Sequence, residues 1–292
     1  MSEDRPAEIE LTRPDHVCTY DDVAQRVRVV KALLEQKRVQ CRKNSALGNI
    51  FRHAEELAKS WAEGVQDNVP TVARVLAMGH ASRIAEAILA VQEDAEAINC
   101  LKRMAGSDMN LSRRPQSQGK DALWELELLA FLRRHEVSAD LVDPPDIIAH
   151  FAFGDYAIAC KKIYSEKGVA AQIRKGCHQI RNTNLKGVVA INIDDLVPGE
   201  VILRSLTKTE AMNALSTFID GFIESHRRTL QDAVFQERCD AIIVSVSSPA
   251  DIIASTTRFN NVTQLAVWTL NETTHEVNSR LQHFRRIADS LG

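Results

Sequence analysis

The sequence predicts an α/β protein in which an N-terminal helical domain precedes a mixed central sheet flanked by helices. Apolar residues recur at helical spacing over 21–105, and a stretch rich in Gly, Ser and Pro follows at 106–120. From residue 121 onwards, short apolar runs of strand length alternate with helical patterns, which is typical of an α/β domain. We therefore expect a flexible polar arm at 1–20, a helical domain, a linker at 106–120, and an α/β domain over 121–292.

Four helices are expected in the helical domain. The first begins near residue 21, and the second spans about 47–61. Pro70 opens a short third helix near 71–78, and 82–104 has the pattern of a fourth. Short connections between four helices indicate a small bundle, and its apolar stripes would allow a homodimer.

The α/β domain opens with an amphipathic helix, followed by three strand-like runs. Further on, buried strands alternate with helices. The expected helices are 121–135, 169–181, 209–235 and 274–291, and the expected strands are 137–142, 146–153, 156–161, 187–193, 241–246 and 264–270.

Composition restricts the function classes without choosing among them. The net charge is −3 over 292 residues, so any basic surface for nucleic acid must be local. The six cysteines include no Cys-x-x-Cys pair, which favours reduced thiols in a cytoplasmic protein. No apolar run reaches the roughly 18 residues of a membrane span, and the N-terminus lacks the apolar core of a signal peptide, so we expect no membrane partner.

A carboxylate and a lysine are brought together by a predicted hairpin. Asp146 follows two prolines and opens a strand, and Lys161 ends the next strand after the Gly154-Asp155 turn. Metal-assisted phosphodiester cleavage needs carboxylates to hold the metal ion and a cation near the attacking water and the scissile phosphate. The neighbour of Lys161 on the same strand face is Ala159, which cannot bind a metal ion.

These residues resemble the PD-(D/E)xK nuclease superfamily, which has the restriction-endonuclease-like fold. The similarity covers about 121–195 and rests on Trp-Glu125-Leu-Glu, Pro-Asp146-Ile, Ile-Ala159-Cys-Lys161 and Gln179-Ile. It includes archaeal-type Holliday-junction resolvases and nuclease domains of the type IV restriction kind.

The resemblance implies an active site with a helical glutamate, the aspartate, the lysine and a glutamine. In this chain the aspartate, lysine and glutamine correspond to Asp146, Lys161 and Gln179. The helical glutamate corresponds to Glu125, with Glu127 as the second choice. Glu125 and Asp146 would hold Mg²⁺ or Mn²⁺, and Lys161 would activate or position water. Gln179 would orient a phosphate or Lys161. Ala159 stands where the family has Asp or Glu.

Two basic stretches suggest a surface for nucleic acid, with DNA preferred over RNA. Residues 161–186 carry seven Lys and Arg against Glu166, and residues 23–45 carry seven against Glu35, a net charge of +6 each. The first stretch lies beside the hairpin. Its candidate nucleic-acid-binding residues are Lys162, Lys167, Arg174, Lys175 and Arg181.

Three functions remain open from the sequence. The first is a metal-dependent DNA endonuclease, or a degenerate form of one, whose role in defence or repair rests on analogy. The second is a non-catalytic nucleic-acid-binding module that lost its metal site at Ala159, and the third is a protein-interaction scaffold. Simpler interpretations make Asp146 a turn residue, Lys162 a solvated strand-end lysine and Gln179 an exposed helix residue.

Overall fold

The fold is an eight-stranded mixed sheet with helices on both faces. A computed structural model describes residues 8–9, 19–64, 72–198, 202–236, 239–255, 260–270 and 273–289. Its helices are α1 Tyr20–Gln36, α2 Ala46–Ala62, α3 Val72–Leu89, α4 Ile98–Gly106, α5 Gln118–Arg134, α6 Val169–Asn182, α7 Lys208–Phe235 and α8 His275–Asp289. Its strands are β1 Glu8–Ile9, β2 Ser138–Leu141, β3 Asp146–Phe151, β4 Gly154–Lys162, β5 Gly187–Asn192, β6 Leu203–Ser205, β7 Ala241–Ile252 and β8 Asn260–Trp268.

The α/β prediction is confirmed, including its mixed sheet. The strand order is β1-β8-β7-β5-β4-β3-β2, with β6 pairing β7 from the side. The strands β2, β3 and β4 form an antiparallel meander, and β4, β5 and β7 run parallel to one another. The crossovers through α6 and α7 therefore bring the carboxyl ends of three neighbouring strands to one edge of the sheet.

The four N-terminal helices are present, with one shift of boundary. The Thr19 side chain caps α1 in a capping box with Asp22, and Ser45 caps α2. The third helix is longer than expected because it continues from Val72 to Leu89, and the fourth is shorter, over Ile98–Gly106. The apolar run 71–104 contains no proline that would have marked the break.

The helical domain and the sheet share one hydrophobic core. Side chains of α1 to α5 form a single buried cluster with Ile158 and Cys160 of β4 and Val188 of β5. A second cluster lies on the other face of the sheet, where α6 and α7 cover Ala159 and Val189. The linker at 106–120 therefore does not separate two independent cores.

The expected linker is a packed connection. Met109 is fully buried, the Asp108 side chain accepts a hydrogen bond from the Asn110 amide, and Asn110 does the same for Ser112. Ser117 donates a hydrogen bond to the Asp108 carbonyl and caps α5. The Ser, Asn and Asp residues that suggested flexibility instead stabilise local turns.

The apolar stripes of α1 and α2 are buried within the chain. Val23, Val27 and Val30 are fully buried, as are Leu47 and Phe51. These stripes are therefore not free to form the homodimer that they suggested. Of the expected arm, Glu8–Ile9 forms β1 against β8, Thr19 and Tyr20 begin α1, and the rest lies outside the described residues. No described helix is both long and apolar enough to span a bilayer.

Candidate functional site

The hairpin β3–β4 brings Asp146 and Lys161 into contact, as the sequence predicted. Asp146 lies opposite Ala159 in the β-ladder. The Lys161 Nζ atom is 2.9 Å from Asp146 Oδ2, and the same oxygen accepts a hydrogen bond from the Cys160 amide at 2.7 Å. Lys161 Nζ also donates to the Cys160 carbonyl at 2.6 Å, so the ammonium group is held at the strand end.

Asp146 occupies a strained and largely buried position. Its φ angle is 126°, in a region that residues other than glycine rarely adopt. Burial raises the pKa of Asp146 to about 6, the Lys161 ammonium opposes that rise, and the Glu125 carboxylate adds to it. Asp146, Lys161 and Glu125 thus belong to one electrostatic cluster, which we call the hairpin cluster.

Glu125 on α5 is already neutralised by an arginine that the sequence reasoning missed. Arg103 of α4 binds both carboxylate oxygens, with Nη1 3.0 Å from Oε1 and Nη2 in contact with Oε2. The Cys100 thiol also donates to Glu125, at 3.3 Å. Only three-dimensional packing of α4 on α5 reveals Arg103, because α4 was assigned to a separate domain.

As they stand, Glu125 and Asp146 do not fit a divalent metal site. Mg²⁺ is held by carboxylate oxygens and water, but a metal ion here would have to displace Arg103 from Glu125 and share Asp146 Oδ2 with Lys161. Within the part of the chain that the structure describes, no group of three or more His, Cys, Asp or Glu side chains is placed to hold a metal ion. No chemical step is therefore assigned to a metal ion.

Glu127 and Gln179 do not join the hairpin cluster through any contact that the structure records. Glu127 is bound by Arg83 of α3, whose Nη2 lies 2.7 Å from Oε2. Gln179 lies on α6, and its Oε1 atom is buried with no hydrogen-bond partner among the described residues. Gln179 is thus not the exposed helix residue of the simpler interpretation, and Ala159 is fully buried beneath α6.

The expectation that Lys162 is solvated is wrong. Its side chain is only 5% exposed, and Nζ lies 2.8 Å from Asp195 Oδ2 and 2.5 Å from Asn192 Oδ1. Strand alternation explains the difference, because Lys162 and Lys161 project to opposite faces and the face of Lys162 is covered by α5. Lys162 is therefore not available as a surface phosphate contact in this conformation.

Lys162 belongs to a buried ion-pair network at the carboxyl ends of β4 and β5. Lys120 Nζ lies 2.9 Å from Asp195 Oδ1, and Arg83 Nη2 lies 2.7 Å from Asp194 Oδ2. We call this the strand-end network, and its members are Arg83, Lys120, Glu127, Lys162, Asp194 and Asp195. The sequence signal for it was the Asp194-Asp195 pair directly after a buried strand.

The basic stretch on α6 forms an exposed surface with uncompensated charge. We call it the α6 basic face, and its cations are Lys167, Arg174, Lys175, Arg181 and Lys186. All five are exposed, and none of their side chains forms an ion pair or hydrogen bond with a described residue. No Asp or Glu occurs between residues 167 and 186, and Glu166 is bound by His226 of α7.

The other basic stretch is compensated only in part. On α1, Arg26 pairs with Glu86 at 2.7 Å, and Lys31 pairs with Glu55 at 2.6 Å. The cations of this stretch that form no ion pair with a described residue lie between α1 and α2, and they are Lys37, Arg38, Arg42 and Lys43. The two stretches have equal net charge, but the unpaired cations of the α6 basic face lie on one helix and its flanks.

The raised pKa of Asp146 predicts that the stability of the protein depends on pH, and the variant Asp146→Asn tests this prediction. Protonation of Asp146 favours the folded state, because its folded pKa of about 6 lies above its ordinary value of 3.8. The contribution of Asp146 to stability is therefore fully present below about pH 4 and lost as the pH rises through 6. The free energy of unfolding of the wild type, relative to Asp146→Asn, should fall by roughly 3 kcal/mol between pH 4 and pH 7.

Urea unfolding of both proteins at intervals across this pH range measures the difference. Because titrating groups outside the hairpin cluster are common to the two proteins, their contributions cancel in the comparison. A difference that stays constant with pH would contradict the raised pKa of Asp146.

Comparison with known proteins adds no relative to these observations: the chain matches no family model, and no curated protein and no solved structure matches it.

Proposed function

We propose that the protein binds nucleic acid through the α6 basic face, as a non-catalytic module with a nuclease-like framework. The observation that carries this proposal is the set of five exposed and unpaired cations on one helix and its flanks, in a chain whose net charge is −3. Positive charge concentrated in this way binds phosphates and releases their counterions. It also fits the resemblance of the hairpin to the PD-(D/E)xK nucleases.

The chemistry of the α6 basic face favours contacts with the sugar-phosphate backbone. Its exposed residues on α6 include Lys, Arg, His and Asn, but no Phe, Tyr or Trp on which unpaired bases commonly stack. Arg174, Lys175 and Arg181 lie along about 10 Å of the helix, and Lys167 and Lys186 flank it, which suits contacts with successive phosphates of a duplex. We therefore expect duplex DNA to bind with little dependence on its sequence.

A salt titration tests this proposal. Fluorescence anisotropy with a labelled duplex should show affinity that falls with a log–log slope of up to about −4.5 if all five cations contact phosphates. The same titration with single-stranded DNA and duplex RNA ranks the other nucleic acids. Failure of every probe to bind at low salt would sink the proposal and favour the protein-interaction scaffold.

Metal-dependent cleavage of DNA is the second candidate function. The contact between Asp146 and Lys161 favours it, but it requires Arg103 to leave Glu125 so that a metal ion can bind there. Asp146 and Lys161 are in contact at a strained strand start, and Glu125 is close enough to influence Asp146. Incubation of DNA with Mg²⁺ or Mn²⁺ and either the wild type or Lys161→Ala tests it. Cutting that needs the metal and Lys161 would support an enzyme whose second acid is not at position 159.

Ala159→Glu restores the acid that the resemblance leaves missing, and we expect it to destabilise the fold. Ala159 is fully buried in the core beneath α6, so an unpaired carboxylate there should cost about 3 kcal/mol or more of unfolding free energy. If the hairpin cluster is a former metal site, Mg²⁺ should recover part of this loss, because bound metal stabilises the folded state.

Ala157→Glu is the matched control, since Ala157 is also fully buried on the same face of β4 but is two residues further from Lys161. The unfolding temperatures of both variants, measured with Mg²⁺ and with a chelator, show whether Mg²⁺ stabilises Ala159→Glu more than Ala157→Glu. Equal responses to Mg²⁺ would argue against an inherited metal site at position 159.

A further inference from the structure

A cleft opens beside the strand-end network, on the face of the sheet covered by α3 and α5. Its volume is about 50 Å³ and it opens to solvent, so its size suits one small anion. The side chains of Arg83, Lys120, Lys162, Asp194 and Asp195 line it. It therefore lies at the carboxyl ends of adjacent parallel strands, where open α/β sheets commonly bind ligands.

The carboxylates that line the cleft have no free oxygen. Asp195 binds Lys120 through Oδ1 and Lys162 through Oδ2. Asp194 accepts the Ser247 amide at Oδ1 and Arg83 at Oδ2. The acceptor groups in this wall are thus occupied by protein donors.

Donors in the same wall remain unused. Arg83 forms its three recorded hydrogen bonds through Nε and Nη2, so Nη1 has no partner among the described residues. Lys120 Nζ donates to Asp195 and to the Arg113 carbonyl, which leaves one proton. His80 is buried with no recorded hydrogen bond, and burial lowers its pKa to about 4, so the neutral ring offers a further N–H.

We propose that this cleft binds a small molecule through an oxyanion group, a phosphoryl or a carboxylate. Most of the unused donors are on cationic side chains, whereas the oxygens of both carboxylates already interact with protein donors. An oxyanion supplies the acceptors that Arg83 Nη1 and Lys120 Nζ lack, and charge-assisted hydrogen bonds of this kind are among the strongest in proteins. Leu76 and Val197 also line the cleft, and the rest of the ligand would lie towards its opening to solvent.

This site is separate from the α6 basic face. Lys162 and Asn192 project towards α5, whereas α6 covers Ala159 and Val189 on the opposite face of the sheet. Binding of a small oxyanion in the cleft therefore does not depend on whether the protein binds nucleic acid.

Calorimetry with inorganic phosphate, acetate and adenosine monophosphate, at constant ionic strength, tests the proposal on the whole chain. We expect saturable binding of at least one probe below about 10 mM. Phosphate and acetate distinguish the two oxyanions, and adenosine monophosphate reports whether the open side of the cleft admits a larger ligand.

Two variants locate the binding without breaking an ion pair. Ser112→Trp narrows the cleft, and His80→Phe removes an unused donor at nearly constant size; each should weaken binding at least tenfold. His53→Phe, on the exposed side of α2, is the control and should bind as the wild type does. Circular dichroism confirms that each variant is folded.

Absence of saturable binding to all three probes overturns the proposal. Binding that is unchanged in both Ser112→Trp and His80→Phe also overturns it, because the oxyanion would then lie elsewhere. Loss of binding in His53→Phe as well as in the cleft variants would show a general effect and would likewise count against the cleft.

Discussion

Asp195→Ala should lower the free energy of unfolding by about 3 to 5 kcal/mol. The Asp195 carboxylate binds Lys120 and Lys162, whose side chains are 1% and 5% exposed. Its removal leaves the buried Lys120 ammonium without a carboxylate and leaves Lys162 with Asp194 alone, 3.8 Å away. The cost of desolvating an unpaired charge exceeds the contribution of the ion pair itself. Urea unfolding at neutral pH measures the loss.

Two further variants separate this effect from a general sensitivity to charge. Glu56→Ala breaks an exposed helical pair with Arg52 and should cost less than about 1 kcal/mol. Replacing Lys120 and Asp195 together by Met and Leu should recover most of the stability, because one charge of each sign is removed and Lys162 still lies 3.8 Å from the Asp194 carboxylate. A loss below about 1 kcal/mol in Asp195→Ala would show that water reaches both lysines.

Replacing Arg174, Lys175 and Arg181 together by alanine should weaken binding to duplex DNA by roughly a hundredfold at moderate salt. Each lost phosphate contact reduces the magnitude of the salt slope by about 1, so the triple variant should lose about 3. The three side chains are exposed and unpaired, so folding stability should hardly change. Anisotropy titrations at several salt concentrations give the affinity and the slope together.

The matched control removes three exposed cations from the other basic stretch, by replacing Arg28, Arg42 and Lys43 with alanine. Both variants change the net charge equally, so long-range attraction is affected alike. If the two triple variants lose similar DNA affinity, binding depends on the overall charge of the protein and not on contacts made by α6. A normal salt slope in the α6 variant would show that its cations do not contact phosphates.

Secondary structure in the second half of the chain could be predicted closely from the sequence. The buried run at 187–193 and the apolar run ending at Lys161 are β5 and β4, because their length and flanking turns left little ambiguity. The contact between Asp146 and Lys161 also followed from the hairpin, since a turn fixes which residues face each other.

The surroundings of these two residues could not be predicted from local pattern. Arg103 neutralises Glu125 from a helix 22 positions away, and Arg83 binds Asp194 across 111 positions. Lys162 looked like a solvated residue because nothing local indicates which face of a strand end a helix will cover. Local pattern also did not show which cations of the two basic stretches are ion-paired, such as Arg26 and Lys31 in the first and Lys161 and Lys162 in the second.

The packed connection at 106–120 has a consequence for how this sequence can diverge. Lys120 is the last residue of the expected linker and Asp195 lies in the expected α/β domain, yet neither is tolerable without the other. Among descendants of this chain, positions 120 and 195 should therefore change together or not at all. The helical half cannot be exchanged for an unrelated one by recombination, because the sheet would lose the covering of one face and the partners of its buried charges.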